Sequence, residues 1–401
     1  MATRHYQYIL VGGGLACGAA LRGIRERDGS GTILMLGNEA YLPYDRPPLS
    51  KKLWLGKTTL EKIFVNKEAF YSDNHIDVEL GVEVTGLDAA AKTITDNRGE
   101  TYSYDKLLLA TGGQPKHLPL PGADLPGICY YRYLDDYKTI RNQAKEGSSA
   151  MIIGGGFIGS EMAVALNTVG VKVTMIFPET FIVPRVFPEG LALSLMADFR
   201  AKGITIITED VPISFTKAGG RFLTRTKNGQ AITTDMLLVG IGISPAQQLA
   251  EMAGLATDNG IVVNQYLQSS DPNIYAAGDV ANFPYQALGK SMRVEHWDNA
   301  LSQGEHAGRN MAGADAPFSY MPYFYSDLFD FGYEAVGEVD NRLTIVADWQ
   351  QENITGVLYY LQDEMVRGVM LCNVWDKLDA ARELIKQGEK VTSEQLRGAI
   401  K

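Results

Sequence analysis

Two glycine clusters in this chain have the spacing of diphosphate-binding turns. In the second, Gly154-x-Gly156-x-x-Gly159 follows an apolar run at 150–153 and opens a helical stretch at 157–169. Between a strand and a helix, each glycine has its own task. The first makes the tight turn, the second admits backbone close to a pyrophosphate, and the third lets helix and strand approach. The anion would rest on the helix N-terminus, against the backbone of Gly155, Phe157 and Ile158, where free N–H groups and the helix dipole favour negative charge. Glu179 is expected at the end of the next strand, 171–177. There it can accept a hydrogen bond from an adenosine ribose 2′-hydroxyl, and it repels a 2′-phosphate. That favours NADH over NADPH; Arg185, a little further on, could answer a 2′-phosphate instead.

The first cluster, Gly12-x-Gly14-x-x-Cys17, follows the run at 8–11 and departs from the pattern at its third position. Cys17 is small enough to keep helix against strand, and we read it as packing. Glu39 is the matching ribose acid. Two dinucleotide sites in one chain, one of which must pass electrons to the other, imply FAD together with a nicotinamide nucleotide.

The elements that must position these residues form an internal repeat. Strand, glycine turn, helix and strand occur at 8–36 and again at 150–177, as in two βαβ nucleotide units. Three further apolar runs, 106–110, 236–239 and 274–277, end in Thr111-Gly112-Gly113, Gly240-Ile241-Gly242 and Gly278-Asp279. Proline-bearing stretches at 114–126 and 244–245 read as crossings between lobes. After about residue 317 three alternating runs, 343–349, 355–361 and 365–371, read as antiparallel strands, and 376–387 as an amphipathic helix. The expected fold class is α/β: two Rossmann-like dinucleotide-binding domains plus a C-terminal α+β domain. Residues 1–115 and 246–318 would form the FAD-binding domain and 116–245 the NAD(H)-binding domain. Residues 319–401 would form a domain of dimerisation or interface type, so a homodimer is among the expectations.

Composition is consistent with this. The chain has 401 residues, 45% apolar and 21% charged, with 42 glycines that show no Gly-X-Y period. Collagen, a disordered chain and a membrane span are excluded. The net charge of −10 is a poor match for nucleic acid or anionic membrane, and residues 392–401 lack the apolar basic face of a membrane-surface helix. Three scattered cysteines, Cys17, Cys129 and Cys372, with no signal or transit segment, suggest a soluble cytoplasmic protein. His5, His75, His117 and His306 show no metal-ligand spacing. Arg22, Arg25 and Arg27 read as the solvated face of the first helix, with docking of an acidic carrier as the other use.

The order of these parts resembles the two-dinucleotide-binding flavoprotein superfamily that includes glutathione reductase. Four segments narrow it: Leu-Pro-Tyr-Asp-Arg-Pro-Pro-Leu-Ser-Lys at 42–51, Val-Glu-His-Trp-Asp-Asn-Ala at 294–300, Tyr-Ser-Asp-Leu at 325–328 and Gly-Tyr-Glu-Ala at 332–335. Together they resemble the NADH-dependent ferredoxin reductases of oxygenase systems, of rubredoxin and putidaredoxin type, and their relative apoptosis-inducing factor. The resemblance covers essentially the whole chain. It implies that Gly12, Gly14, Leu15 and Ala16 hold the FAD pyrophosphate, Glu39 the adenosine ribose, Val84 the adenine, and Asp279 the ribityl chain. Arg46, Lys51 and Arg132 would contact FAD. Glu295, His296 and Trp297 would lie along the isoalloxazine and nicotinamide, with Tyr325 stacking where relatives often have tryptophan. Gly242 and Glu334 would serve the nicotinamide nucleotide. It also implies that Lys51 and Glu161 meet near flavin N5, Lys51 stabilising negative charge on the reduced ring and Glu161 balancing it. Disulfide reductases of the superfamily carry a redox cysteine near the flavin. Here no cysteine lies between Gly18 and Ile128, and without a thiolate there is no relay to a disulfide.

The expected activity is therefore that of an FAD-dependent, ferredoxin–NAD(+) reductase-like enzyme. Hydride would pass from NADH to the flavin, with Trp297 and Tyr325 bounding the stack, and electrons would leave to a ferredoxin or rubredoxin. Two rivals stand beside it: a diaphorase or NADH oxidase using quinone, dyes or oxygen, and an NADH-sensing interaction protein that forms a charge-transfer complex. The acidic charge counts against an acidic carrier unless a local basic patch exists. No nucleic acid, membrane or metal partner is expected.

Overall fold

The computed structural model describes residues 3–400; Met1, Ala2 and Lys401 lie outside the described residues. The chain divides into two compact units. The first comprises the chain up to Asp45, Leu60–Gln114 and Ser244–Pro322; the second comprises Arg46–Thr59, Pro115–Ile243 and the chain from Tyr323 onward. The excursion Arg46–Thr59 was marked by no change of hydrophobic pattern in the sequence.

In the first unit a parallel sheet runs in the order Ile76–Leu80, Ile33–Gly37, Arg4–Val11, Thr101–Leu109, and Ile274–Ala276 also pairs in parallel with Thr101–Leu109. Ile9, Leu10, Leu107 and Leu108 are fully buried, as parallel strands covered on both faces require. An antiparallel hairpin, Val84–Asp88 and Thr93–Asp96, extends the sheet. The helix Leu15–Arg25 lies against the helix Trp297–Met311. They approach backbone to backbone: a Cβ on Gly304 or Gly308 would overlap the carbonyl of Ala16 or Ala20. Arg22–Glu305 (2.9 Å) and Arg309–Glu26 (2.6 Å) stitch the same pair. Arg25 donates to the carbonyls of Asn74 and Asp28. The arginine cluster of the first helix is therefore not a plain solvated face; only Arg27 is exposed.

The second unit repeats the order with Thr205–Ile207, Lys172–Ile176, Ser149–Ile153, Met236–Val239 and Ile128–Tyr130, all parallel. The strand after the glycine helix stops at Ile176, three residues before Glu179, and not at the acid as the sequence suggested. Pro178 has no N–H to continue the ladder. A separate three-stranded antiparallel sheet covers Pro212–Ala218, Arg221–Thr226 and Ala231–Thr234. The C-terminal sheet is antiparallel throughout, in the order Tyr323–Leu328, Phe331–Gly337, Met365–Cys372, Thr355–Gln362, Thr344–Gln351. Its first hairpin was hidden in an aromatic stretch without alternation. The helix Leu378–Gln387 buries Ala381 and Ile385. It begins two residues later than 376, because Asp376 has φ of +61°.

Candidate nucleotide and electron-transfer site

The two glycine turns are geometrically alike. Gly12 and Gly154 have φ of +133° and +114°, and a Cβ on either would overlap the carbonyl ending the neighbouring strand, Ala110 or Gly240. Only glycine fits there. A Cβ on Gly14 or Gly156 would meet nothing within 4 Å. Each of these two glycines caps its helix without a side-chain hydrogen bond, and neither first turn carries an acidic residue. Open space in front of N-terminal N–H groups is what a pyrophosphate needs, and Leu15 and Ala16, or Phe157 and Ile158, follow directly. A Cβ on Gly155 would meet the Phe177 ring at 2.8 Å. Gly159 lies against the Gly154 carbonyl, where a Cβ would overlap. The equivalent Cys17 is fully buried, and burial pushes its thiol pKa up. Ile158 is 38% exposed at the mouth of the second turn. Gly242, with φ of +94°, accepts a hydrogen bond from the Lys116 N–H.

The two candidate ribose acids differ. Glu39 is half-buried two residues past its strand and accepts a 2.6 Å hydrogen bond from the buried Tyr44 hydroxyl. Glu179 is exposed on a loop. Arg185 is also exposed, 3.9 Å from Asp340, a carboxylate that Arg342 already holds at 2.6 Å. Val84 is buried at the start of its strand.

In the first unit Asp279 sits in the turn Gly278–Val280, with Gly278 donating to Gln303 Oε1 at 2.9 Å. A Cβ on Gly278 would come within 3.1 Å of Ala16, so the turn abuts the first glycine helix. Arg293 binds the Asp279 carbonyl and pairs with the exposed Glu295 at 2.5 Å. His296 is half-buried; burial pushes its pKa down to about 4 against the opposing pull of Asp279, so the imidazole is neutral. Trp297 donates to Asp45 Oδ1 at 2.6 Å, and burial raises the pKa of that carboxyl.

In the second unit Lys51 Nζ lies 2.6 Å from Glu161 Oε1, with side chains only 10% and 5% exposed. Ser50 donates to Glu161 Oε2 at 2.5 Å and Ser326 to Oε1 at 2.6 Å. The lysine ammonium also stands 5.4 Å from the centre of the Tyr325 ring. Glu334 lies opposite Tyr325 in the strand register; burial and then Asp376 raise its pKa. Arg46 donates to the Arg132 carbonyl at 2.9 Å and lies over Tyr133, while the Arg132 N–H is capped by Asp136. Burial raises the Cys129 and Cys372 thiols as it does Cys17.

Residues 6–304 match the family described as pyridine nucleotide-disulphide oxidoreductase. The chain belongs to the pyridine nucleotide-disulphide oxidoreductase family. Residues 307–355 match a second description, the C-terminal part of apoptosis-inducing factor, mitochondrion-associated. Mitochondrial apoptosis-inducing factor 1 of Dictyostelium discoideum is 32% identical over 98% of this chain and 81% of its own. Rubredoxin-NAD(+) reductase of Pseudomonas putida is 32% identical over 89% and 94%. Peroxisomal monodehydroascorbate reductase 4 of Arabidopsis thaliana is 33% identical over 90% and 78%. Among solved structures, the reductase in a covalent putidaredoxin reductase–putidaredoxin complex superposes with a TM-score of 0.91 at 28% identity, over 99% of this chain and 96% of that one.

A member of this family is a flavoprotein NAD(P)H oxidoreductase, and the two open glycine turns fit FAD and a nicotinamide nucleotide. Among the described residues, no helix is long and apolar enough to cross a membrane, and no group of acidic, histidine and cysteine residues is arranged to hold a metal. Sequence reasoning missed five partners: Tyr44, Asp45, Ser50, Gln303 and Ser326. Four of them lie inside the quoted segments, at 42–51 and 325–328, and Gln303 lies three residues past 294–300. The signal was present as unassigned polar residues in otherwise assigned segments.

Proposed function

We propose that this chain takes electrons from NADH and delivers them to a small iron–sulfur carrier, a ferredoxin or rubredoxin. The observation that carries the reading is the buried Lys51–Glu161 pair. It holds the Lys51 cation against Glu161 of the helix that follows the second glycine motif, in a chain whose three thiols are all buried and disfavour the thiolate. When bound, FAD would supply acceptance of a hydride and release of single electrons.

The chain's own residues bind, orient and balance charge. Gly12, Gly14, Leu15 and Ala16 present backbone to the FAD pyrophosphate; Glu39 takes the ribose, Val84 the adenine and Asp279 the ribityl hydroxyls. Gly154, Gly156, Phe157 and Ile158 do the same for NADH, and Glu179 selects a free 2′-hydroxyl. Lys51 holds positive charge where negative charge would build up, and Glu161 keeps that cation neutralised in a poorly solvated place. Trp297, fixed by Asp45, offers a flat face in the first unit, and Tyr325, beside Lys51, offers another in the second. His296 stays neutral and adds no competing charge. Hydride transfer requires no protein base, so the site works by orientation.

The rubredoxin reductase relative and the putidaredoxin complex support an iron–sulfur acceptor. The match at residues 307–355 favours a second reading, an NADH-sensing interaction protein. Steady-state NADH oxidation separates them. Turnover with an acidic [2Fe–2S] ferredoxin or a rubredoxin, well above that with air alone, supports the reductase. Turnover with neither carrier refutes it.

A further inference from the structure

We infer that the exposed face formed by residues 52–57 and the helix Leu134–Gln143 is the docking surface for that acidic carrier protein; the inference rests on the reductase reading above. The segment Arg46–Thr59 holds four basic residues, Arg46, Lys51, Lys52 and Lys57, and no acid, in a chain of net charge −10. Arg46 and Lys51 turn to Tyr133 and Glu161. Lys52 and Lys57 are exposed, brought together by the Lys57 N–H bonding the Lys52 carbonyl at 2.9 Å. Leu55 lies between them in the chain, 40% exposed.

This turn sits on the helix through Trp54. The indole is buried, donates to the Leu49 carbonyl at 2.7 Å, and meets Tyr137 edge to face at 5.5 Å. Arg141, exposed on the next turn of the same helix, lies 5.5 Å over the indole ring. Lys138 stands one turn before it, and the exposed Lys145 follows the helix end. The acids nearby are Asp135 and Glu146, both exposed, and Asp136, whose carboxylate caps the Arg132 and Tyr133 N–H groups. Lys52, Lys57 and Arg141 are thus exposed on the turn and the helix that Trp54 joins, with Leu55 exposed on the same turn.

An apolar centre inside a charged rim is the anatomy of a transient protein interface. A positive field on an otherwise acidic protein steers an acidic partner to that face while repelling it elsewhere. The face also adjoins the site, because Lys52 follows Lys51 directly. The arginines of the first helix, Arg22 and Arg25, are tied up in contacts with Glu305, Asn74 and Asp28.

The test uses the full-length holoenzyme and its Lys52→Glu/Lys57→Glu variant, with Lys227→Glu as an exposed charge-reversal control elsewhere on the surface. An acidic [2Fe–2S] ferredoxin and uncharged benzoquinone are the acceptors. The double variant should raise the KM for ferredoxin about tenfold and flatten its salt dependence, with the benzoquinone rate unchanged within about twofold. Lys227→Glu should do neither. Arg141→Glu should repeat the effect from the helix side. If wild type reduces ferredoxin and the double variant matches it at every salt concentration, the docking face is refuted and the reductase reading stands. If wild type reduces no carrier, both fall.

Discussion

The Lys51 ammonium is held 2.6 Å from the Glu161 carboxylate in an almost fully buried pocket, and Ser50 and Ser326 donate to the same carboxylate. Three donors converge on Glu161, whereas it is the one carboxylate that Lys51 meets at salt-bridge distance among the described residues. The two partners are therefore unequal. Removing Glu161 strands a buried cation; removing Lys51 leaves an anion with two hydroxyl donors. Glu161→Ala should cost about 3–5 kcal/mol of stability, and Lys51→Met clearly less. Urea unfolding of the two holo variants checks the order.

The glycine geometry separates folding from binding. A Cβ at Gly159 would overlap the Gly154 carbonyl, while one at Gly156 meets open space. Gly159→Ala should fold poorly. Gly156→Ala should keep its thermal midpoint and raise the KM for NADH several-fold. Gly14→Ala should likewise fold and lose FAD on gel filtration. Equal loss of stability in all three would show that the openings are not ligand space.

Nucleotide preference should follow the exposed Glu179. Arg185 lies 3.9 Å from Asp340, and the proposed function has Glu179 set the charge at the ribose. Glu179→Gln should lower the NADH-to-NADPH ratio of kcat/KM about five- to tenfold. An unchanged ratio would mean that the loop carrying Glu179 does not meet the ribose.

His296 should mark the acid limb of stability. Its folded pKa is pushed down to about 4, while an unfolded histidine titrates near ~6.5. The unfolded chain therefore takes up the proton first as pH falls. The stabilisation is complete above about pH 6.5 and is lost as pH falls toward the folded value. His296→Gln should flatten the stability profile in that window, measured by urea unfolding at fixed pH steps.

Much of this arrangement was legible because glycine spacing and apolar runs are local. The repeat at Gly12 and Gly154, the parallel strands and the C-terminal strands from Thr344 onward follow from residues near one another in the chain. The Glu161 cluster gathers Ser50 and Lys51 from one distant segment and Ser326 from another, and no periodicity announces such a meeting. Only the resemblance joined Lys51 to Glu161, and it left the serines unassigned. Glu179 was placed at a strand end because the apolar pattern runs on through Phe177, whereas Pro178 ends the ladder. The arginines of the first helix looked solvated because their partners, Glu305 and Asn74, lie far along the chain.

The most direct test of the account is a single turnover. Protein reduced by one equivalent of NADH without oxygen is mixed with an oxidised ferredoxin or rubredoxin, and flavin and iron–sulfur absorbance are followed together. The account predicts that the carrier is reduced as the flavin is reoxidised, and that this outpaces reoxidation by air-saturated buffer. A long-wavelength charge-transfer band that persists while the carrier stays oxidised would contradict it.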